Sequence, residues 1–408
     1  MKNKTISILL IASCLIMFVA LNGYELFGKI VYEGISSQSM IAYGSDNRNV
    51  IMNETMSSKI DETENYILDC IPFKTNMVKL NGFILKKTGI RSFYNNVHKM
   101  NITTDGYNVG RYEKTSTDYE VAEMVSFKEY LDKKGIKLLY VNEPAKYTDD
   151  EFYTEQFGGE SFLNRNMDLF LDRIGAAGIN FLDLRECGKA EGLDCMQMFY
   201  RTDHHWTVPA SVWAARQIAQ KLNDDYGYNI DMKLYDDDNF NIVEYKDCWL
   251  GEQGRLVADT YIGLDDYTMM EPKYDTSYTI YAEDGSEEEE GTFDAFIDKS
   301  VYREGVDPYD SKLWHYSYSA KGNKLVHNNL MECGRVLILG DSYETSMRSF
   351  LSLGIRDTMV VIPRDLESSV RNIIDDGNFD TVIVSYAQFM VGAHDDENNA
   401  NYKMFEFE

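Results

Sequence analysis

The sequence is short of the residues that announce a chemistry on their own. Its 6 prolines, beside 44% hydrophobic and 26% charged residues in a chain of 408, exclude collagen-like, linker-like and wholly disordered architectures. The cysteines, Cys14, Cys70, Cys187, Cys195, Cys248 and Cys333, contain no C-x-x-C pair, so no zinc knuckle is written. Bases are scarce relative to acids, 40 Lys and Arg against 67 Asp and Glu, which leaves a net charge of −27. Such a field repels phosphate backbones and excludes nucleic acid as a partner. Even the densest acidic stretch, residues 281–300 with eight acids and one lysine, lacks the spaced aspartates of an EF-hand loop. It reads as a solvated loop, and no metal or cofactor is expected.

What is present begins at the N-terminus. Lys2 and Lys4 precede an apolar run from Ile6 to Leu21. At about 1.5 Å per residue such a run spans about 24 Å, short of a bilayer core of about 30 Å and close to the upper size of a signal h-region. Residues 1–23 are therefore either a signal anchor or a signal peptide, and the chain beyond Tyr24 is expected to work outside the cytoplasm, held at the membrane if the segment is kept. In such a compartment Cys187 and Cys195, eight residues apart, can close a small disulfide loop; two free thiols are the alternative.

Residues 24–80 have weak periodicity and read as a stalk or helical lead-in. From Tyr119 a regular alternation starts: helix to Lys134, strand Ile136 to Val141, helix Phe162 to Ile174, strand Ile179 to Leu184. A further helix is expected after Trp206, because Thr207 can cap it, Pro209 suits its first turn, and Val208, Val212, Ala215, Ala219 and Leu222 share one face. The alternation returns near the C-terminus with apolar strands Val336–Leu339, Thr358–Ile362 and Thr381–Val384 between helices. Fully apolar short strands separated by helices predict an α/β fold with a doubly wound parallel sheet. The expected organisation is residues 81–222 as the first part of that domain, 223–329 as an acidic, Tyr-rich, partly β insertion, and 330–408 as the second part.

Two motifs carry chemistry. In Leu339-Gly340-Asp341-Ser342-Tyr343 a hydroxyl sits where a buried strand gives way to a helix, the place where open parallel sheets present ligands. In Thr202-Asp203-His204-His205-Trp206-Thr207 an Asp-x-His pair precedes a helix. A serine needs an imidazole base, and the base usually needs a carboxylate to fix its tautomer. Ser342, His205 and Asp203 supply these types, and nucleophilic acyl chemistry is the leading reading. Each motif alone is weaker: the serine can merely cap a helix, and adjacent histidines can be structural.

The combination GDSY with DHHWT resembles the SGNH-like, GDSL-type proteins of polysaccharide O-acetylation, in particular the alginate O-acetylation branch and the group named for its DHHW motif. In that branch the Asp-x-His motif precedes the serine motif, as here. The resemblance implies Ser342 as nucleophile, His205 as general base and Asp203 as its orienting acid. His204 departs from the alginate branch, where a small hydroxyl residue is frequent, and is structural, substrate-contacting or catalytic. Asn142-Glu143-Pro144-Ala145-Lys146 looks like the family's Pro-Lys stretch, which makes Asn142 and Lys146 candidate lining residues. Tyr386, just past the last strand, is a further candidate reaching over the serine. The function implied is transfer of acetyl groups to hydroxyls of a surface or secreted polysaccharide, with a membrane-embedded acyl exporter as donor partner. A carbohydrate esterase with the same residues, a non-catalytic glycan-binding protein, and D-alanyl transfer to teichoic acid remain alternatives.

Overall fold

Continuous apolar runs build the centre of the molecule because strands covered on both faces have no side left for water. The computed structural model describes residues 74–94, 99–282, 285–299, 307–309, 318–319 and 321–408. The N-terminal apolar run, the stalk to residue 73, Cys14 and Cys70 lie outside the described residues. Among the described residues no helix is long and apolar enough to cross a membrane. Contacts divide the chain into Met1–Leu80 and Asn81–Glu408, and residues 74–80 open helix α1 (Lys74–Thr88).

A small antiparallel sheet comes first, formed by β1 (Ser92–Tyr94), β2 (Lys99–Ile102) and β3 (Asn108–Val109). Helix α2 (Asp118–Lys134) stops at Gly135, whose φ of 71° is the left-handed conformation glycine adopts freely. Then follow β4 (Lys137–Glu143), α3 (Asp150–Phe157), α4 (Leu163–Ala176), β5 (Asn180–Asp183) and α5 (Leu184–Glu191). Helix α6 (Val208–Tyr226) starts as its sequence predicts: the Thr207 hydroxyl accepts from Ala210 N and Pro209 occupies the first turn. Val208, Val212, Ala215, Ala219 and Leu222 are all buried along one face.

Residues 223–329 do more than interrupt. Strands β6 (Phe240–Trp249) and β7 (Asp265–Pro272) form a separate antiparallel pair, with short helices α7 (Glu252–Val257) and α8 (Asp259–Ile262) between them. Strands β8 (Tyr278–Tyr281), β9 (Glu287–Gly291) and β10 (Leu325–Asn328) join the main sheet. The remaining elements are β11 (Arg335–Leu339), α9 (Glu344–Leu351), β12 (Asp357–Val361), α10 (Val370–Gly377) and β13 (Thr381–Ala387).

The main sheet has the order β5-β4-β13-β11-β12-β10-β8-β9. Its first five strands are mutually parallel, whereas β10 runs antiparallel to both β12 and β8, and β8 antiparallel to β9. The expectation of a parallel sheet is thus corrected to a mixed one. The parallel strands are those linked through helices; β8 and β9 are linked by a short turn, which permits only antiparallel pairing. Both faces are covered. Tyr140 on β4 sets its ring edge-on to Phe170 of α4 at 5.0 Å, while Glu143, of opposite parity, accepts from the Ser385 hydroxyl at 2.7 Å on the other face.

The Cys187 and Cys195 thiols are free, in place of the disulfide that their spacing allowed. Cys187, on α5, is half-buried against the main core, and Cys195 directs its thiol to the Ala145 carbonyl at 3.1 Å. Burial pushes the Cys195 thiol up to about 12, so it is protonated near neutrality.

The C-terminal residues close the core. Phe407 is fully buried and stacks on Phe127 of α2 at 4.3 Å. Phe407→Ala is expected to cost about 3–5 kcal/mol, read as a lower urea midpoint with unchanged slope.

Candidate active site

In the loop from Arg201 to Trp206, Thr202, Asp203 and Trp206 are buried and the rest half-buried, so its polar groups must find partners inside the protein. Asp265, at the start of β7, supplies several. Its Oδ2 accepts from Thr202 N at 2.8 Å and from the Thr202 hydroxyl at 2.7 Å, and its Oδ1 accepts from Arg201 N and Nε, both at 3.1 Å. The next residue, Asp203, is then presented to the histidines.

Asp203 Oδ1 accepts from His205 N at 3.1 Å and lies 2.6 Å from His205 Nδ1, while its Oδ2 accepts from Glu252 N at 2.9 Å. Burial alone would raise this carboxyl. The adjoining His205 and His204 and the Glu252 N–H outweigh it and hold the group well below the usual carboxylate range. An ionised carboxylate only accepts, so His205 Nδ1 carries the proton of that bond. Nε2 of the neutral ring is then the acceptor, and the Ser342 hydroxyl stands 2.7 Å from it. Gly251 makes this approach possible: a Cβ there would sit 2.4 Å from Asp203 Cβ and 2.6 Å from its Oδ2.

Ser342 follows β11 on a tight turn. Asp341 ties that turn down, accepting from Tyr343 N at 2.9 Å through one oxygen and from Ala387 N at 2.8 Å through the other. The N–H groups of Gly340, Tyr343, Glu344 and Thr345 are engaged in holding the turn; that of Ser342 takes part in none of these bonds. The two motifs are also braced to each other. Trp206 Nε1 donates to Tyr343 O at 3.3 Å, and the Tyr343 hydroxyl donates to His204 O at 2.7 Å.

The structure thus brings together Asp203, His205 and Ser342, and sets His204 beside them, its ring 3.8 Å from that of His205. His204 lines a cavity of about 80 Å³ with Asn108, Lys146, Gln253, Tyr343 and Phe389. Lys146 also borders a cleft of about 630 Å³ that runs past Tyr107, Asp149 and Asp194. A second cleft of about 630 Å³, lined in part by Tyr281, His327 and Asp357, lies at the other end of the strands. Asp357 begins β12, whereas Ser342 follows the end of the parallel β11.

Two expected lining residues are not brought to this cavity. Asn142 is fully buried and donates through Nδ2 to Asp183 at 2.8 Å. Tyr386 is fully buried as well, with its hydroxyl donating to Met404 O at 2.6 Å and its ring against Phe405. This corrects the expectation that Asn142 lines the site and that Tyr386 reaches over the serine. Asp203, His204 and His205 bring ligand-type atoms within 4.8 Å of one another. Both ring nitrogens of His205 are already in hydrogen bonds, which leaves a cation too few ligands from this cluster.

Sequence reasoning missed Asp265, Gly251 and Trp206 as supports of the site. Asp265 and Gly251 lie 63 and 49 residues from Thr202, and nothing local marks either. Lys146 was anticipated as lining, but its principal contacts are internal: Nζ donates to Asn108 O at 2.8 Å and to Arg201 O at 3.3 Å. It stitches β3 to the start of the Asp203 loop.

Residues 103–301 match the family model described as SGNH hydrolase-like domain, acetyltransferase AlgX. The matched stretch holds Lys146, Asp203, His204 and His205 and ends before Ser342. Among solved structures, PatB1 of Bacillus cereus with a sulfonyl adduct is similar at 16% identity and a TM-score of 0.58, covering 77% of this chain and 98% of that one. A DHHW family protein from Eubacterium siraeum is similar at 17% identity and a TM-score of 0.54, covering 77% and 97%. At these identities the likeness is one of fold. Among curated proteins, none matches this sequence.

Burial pulls the Lys146 ammonium down to about 7, against the opposing pull of Asp203 and Asp265. An unfolded lysine titrates near about 10.4, so between these values the unfolded chain binds more protons and stability rises with pH. Urea unfolding from about pH 7 to about pH 10 is expected to show wild type gaining stability relative to Lys146→Met, with no divergence below that window.

Proposed function

We propose, from the match of residues 103–301 to the SGNH hydrolase-like AlgX acetyltransferase family model, that this chain is an extracytoplasmic enzyme of that kind and O-acetylates a polysaccharide through Ser342, His205 and Asp203. The observation that carries this reading is the hydrogen-bonded series Asp203 Oδ1, His205 Nδ1, His205 Nε2, Ser342 Oγ, with contacts of 2.6 and 2.7 Å.

The reaction has two halves. His205 Nε2 takes the Ser342 hydroxyl proton as Oγ attacks the acyl carbonyl of the donor, and Asp203 stabilises the imidazolium that forms. The backbone N–H of Ser342 faces the developing oxyanion. Collapse of the tetrahedral species breaks the bond to the donor's leaving group, which takes the proton from His205, and acetyl-Ser342 remains. A sugar hydroxyl then gives its proton to His205 and attacks the acyl carbon, and Ser342 leaves with that proton. His204 stands beside the base as the residue through which the small cavity meets the reacting groups.

Lys2, Lys4 and the apolar run after them support export or anchoring at the membrane. A membrane-embedded acyl exporter suits this plan as donor partner. The resident charges favour nothing anionic in bulk, which agrees with a carbohydrate acceptor and not a nucleic acid.

Two variants test the reading with an activated acetyl ester as donor and a mixture of oligosaccharides as acceptors, product masses being followed. Ser342→Ala is expected to lower acetyl transfer roughly 10³-fold or more, since residues acting as a unit fail together. Gly251→Ala, which forces Asp203 away, is expected to lower it about 10²-fold with the far-ultraviolet spectrum kept. Full turnover in Ser342→Ala overturns the mechanism; acetate release without sugar acetylation assigns the protein to the esterases.

A further inference from the structure

Beneath Ser342 lies a pair of carboxyls that the reaction does not use. Glu143 ends β4 and Glu344 begins α9, and both are fully buried. The Glu344 side chain folds back under the serine turn: a Cβ on Gly340 would lie 2.2 Å from its Cγ. The Ser385 hydroxyl donates to Glu143 Oε1 at 2.7 Å, and the Glu344 carboxyl adjoins both groups. Among the described residues, Glu143 Oε2 and both Glu344 oxygens find no protein donor. Two buried carboxyls side by side favour a proton between them, because like charges that no donor compensates cannot both persist in the interior.

We propose that Glu143 and Glu344 share one proton and that this carboxylic acid to carboxylate bond is a positioning element, clamping the Ser342 turn onto β4. The clamp rests on the reading of Ser342 as nucleophile for its consequence in catalysis, not for its existence. The groups facing the pair are Asp341 in the turn and Arg348 one turn along α9, with Ser385 on β13 as the neutral donor. Arg348 donates to Thr358 O at 3.0 Å and to Lys324 O at 3.3 Å, and its charge opposes the rise of Glu344. Burial, joined by Asp341, pushes Glu344 up to about 8, and burial with Asp341 and Glu344 raises Glu143 as well.

The sign follows from which state holds the proton. Unfolded glutamates release theirs near about pH 4.3, and the folded pair keeps its proton to higher pH. The native state therefore binds more protons across that interval, and stability falls as pH rises through it. Once the proton leaves, two buried carboxylates face each other beneath Ser342 and the turn loosens.

The experiment uses the full chain and three forms: wild type, Glu344→Gln and Glu344→Ala. A glutamine amide can donate to ionised Glu143 and cannot lose that hydrogen at alkaline pH; alanine has no donor. Hydrolysis of an activated acetyl ester is followed at about pH 7 and about pH 9.5, and the thermal midpoint is followed from about pH 4.5 upward. For wild type, kcat is expected to fall about tenfold between the two pH values with KM steady. Glu344→Gln is expected to fall less than about twofold, and Glu344→Ala to be slow at both. Lys146 titrates in all three forms, so comparing the ratios between proteins cancels its contribution. The wild-type midpoint is expected to decline with rising pH more steeply than that of Glu344→Gln. Coincident midpoint curves overturn the shared proton, whether or not Ser342 is the nucleophile. Divergent midpoints with coincident rate profiles overturn the positioning role alone.

Discussion

Trp206 donates to Tyr343 O while the Tyr343 hydroxyl donates to His204 O, and these reciprocal bonds join two segments 137 residues apart in sequence. Tyr343 and Trp206 are both almost wholly buried, with ring centroids 5.1 Å apart. Each bond satisfies a group that burial would otherwise leave unpaired, so sliding one segment past the other exposes orphan donors and acceptors on both. The short contacts between Ser342, His205 and Asp203 depend on that fixed register. Asp265 performs the same service one residue upstream, with both oxygens filled by the Arg201–Thr202 backbone and side chains.

How much of this was legible follows from the range of each interaction. The parallel strands were readable because Val336–Leu339 and Thr381–Val384 are apolar without alternation, which is what burial on two faces requires. The antiparallel extension was not. Glu287–Gly291 is a strand whose exposed acidic residues read as a loop, and Tyr278–Tyr281 pairs with Leu325–Asn328 across a long stretch of chain. The Asp203, His205 and Ser342 set was legible from residue type and local motif; the partners that hold it were not, because they come from other elements.

Asn142 and Tyr386 show the limit at single-residue scale. They are direct neighbours across β4 and β13, so both point to one face of the sheet, into the core beneath α4. One step along each strand reverses the direction. Glu143 and Ser385 therefore point to the other face, toward α9 and the serine turn, where their side chains meet at 2.7 Å. A sequence places Asn142 and Glu143 equally near the end of an apolar run. Only the registration of the sheet against α9 decides which of them looks toward Ser342.

That decision has an energetic side. Asp203, Asp341, Glu143, Glu344, Lys146 and Arg348 are all buried within the elements that carry Ser342 and His205. Desolvating so many ionisable groups is unfavourable for folding, and a core of similar volume made of hydrocarbon would be more stable. The same exclusion of water strengthens the Asp203 to His205 attraction, since charge acts further in a medium of low dielectric. Stability here is concentrated in the apolar strands and in the aromatic closure by Phe405 and Phe407, away from the serine turn. The division is physical: hydrocarbon packing holds the sheet rigid, and the rigid sheet lets a cluster of buried charges, each dependent on its neighbours for partners, keep a geometry that it would not keep alone.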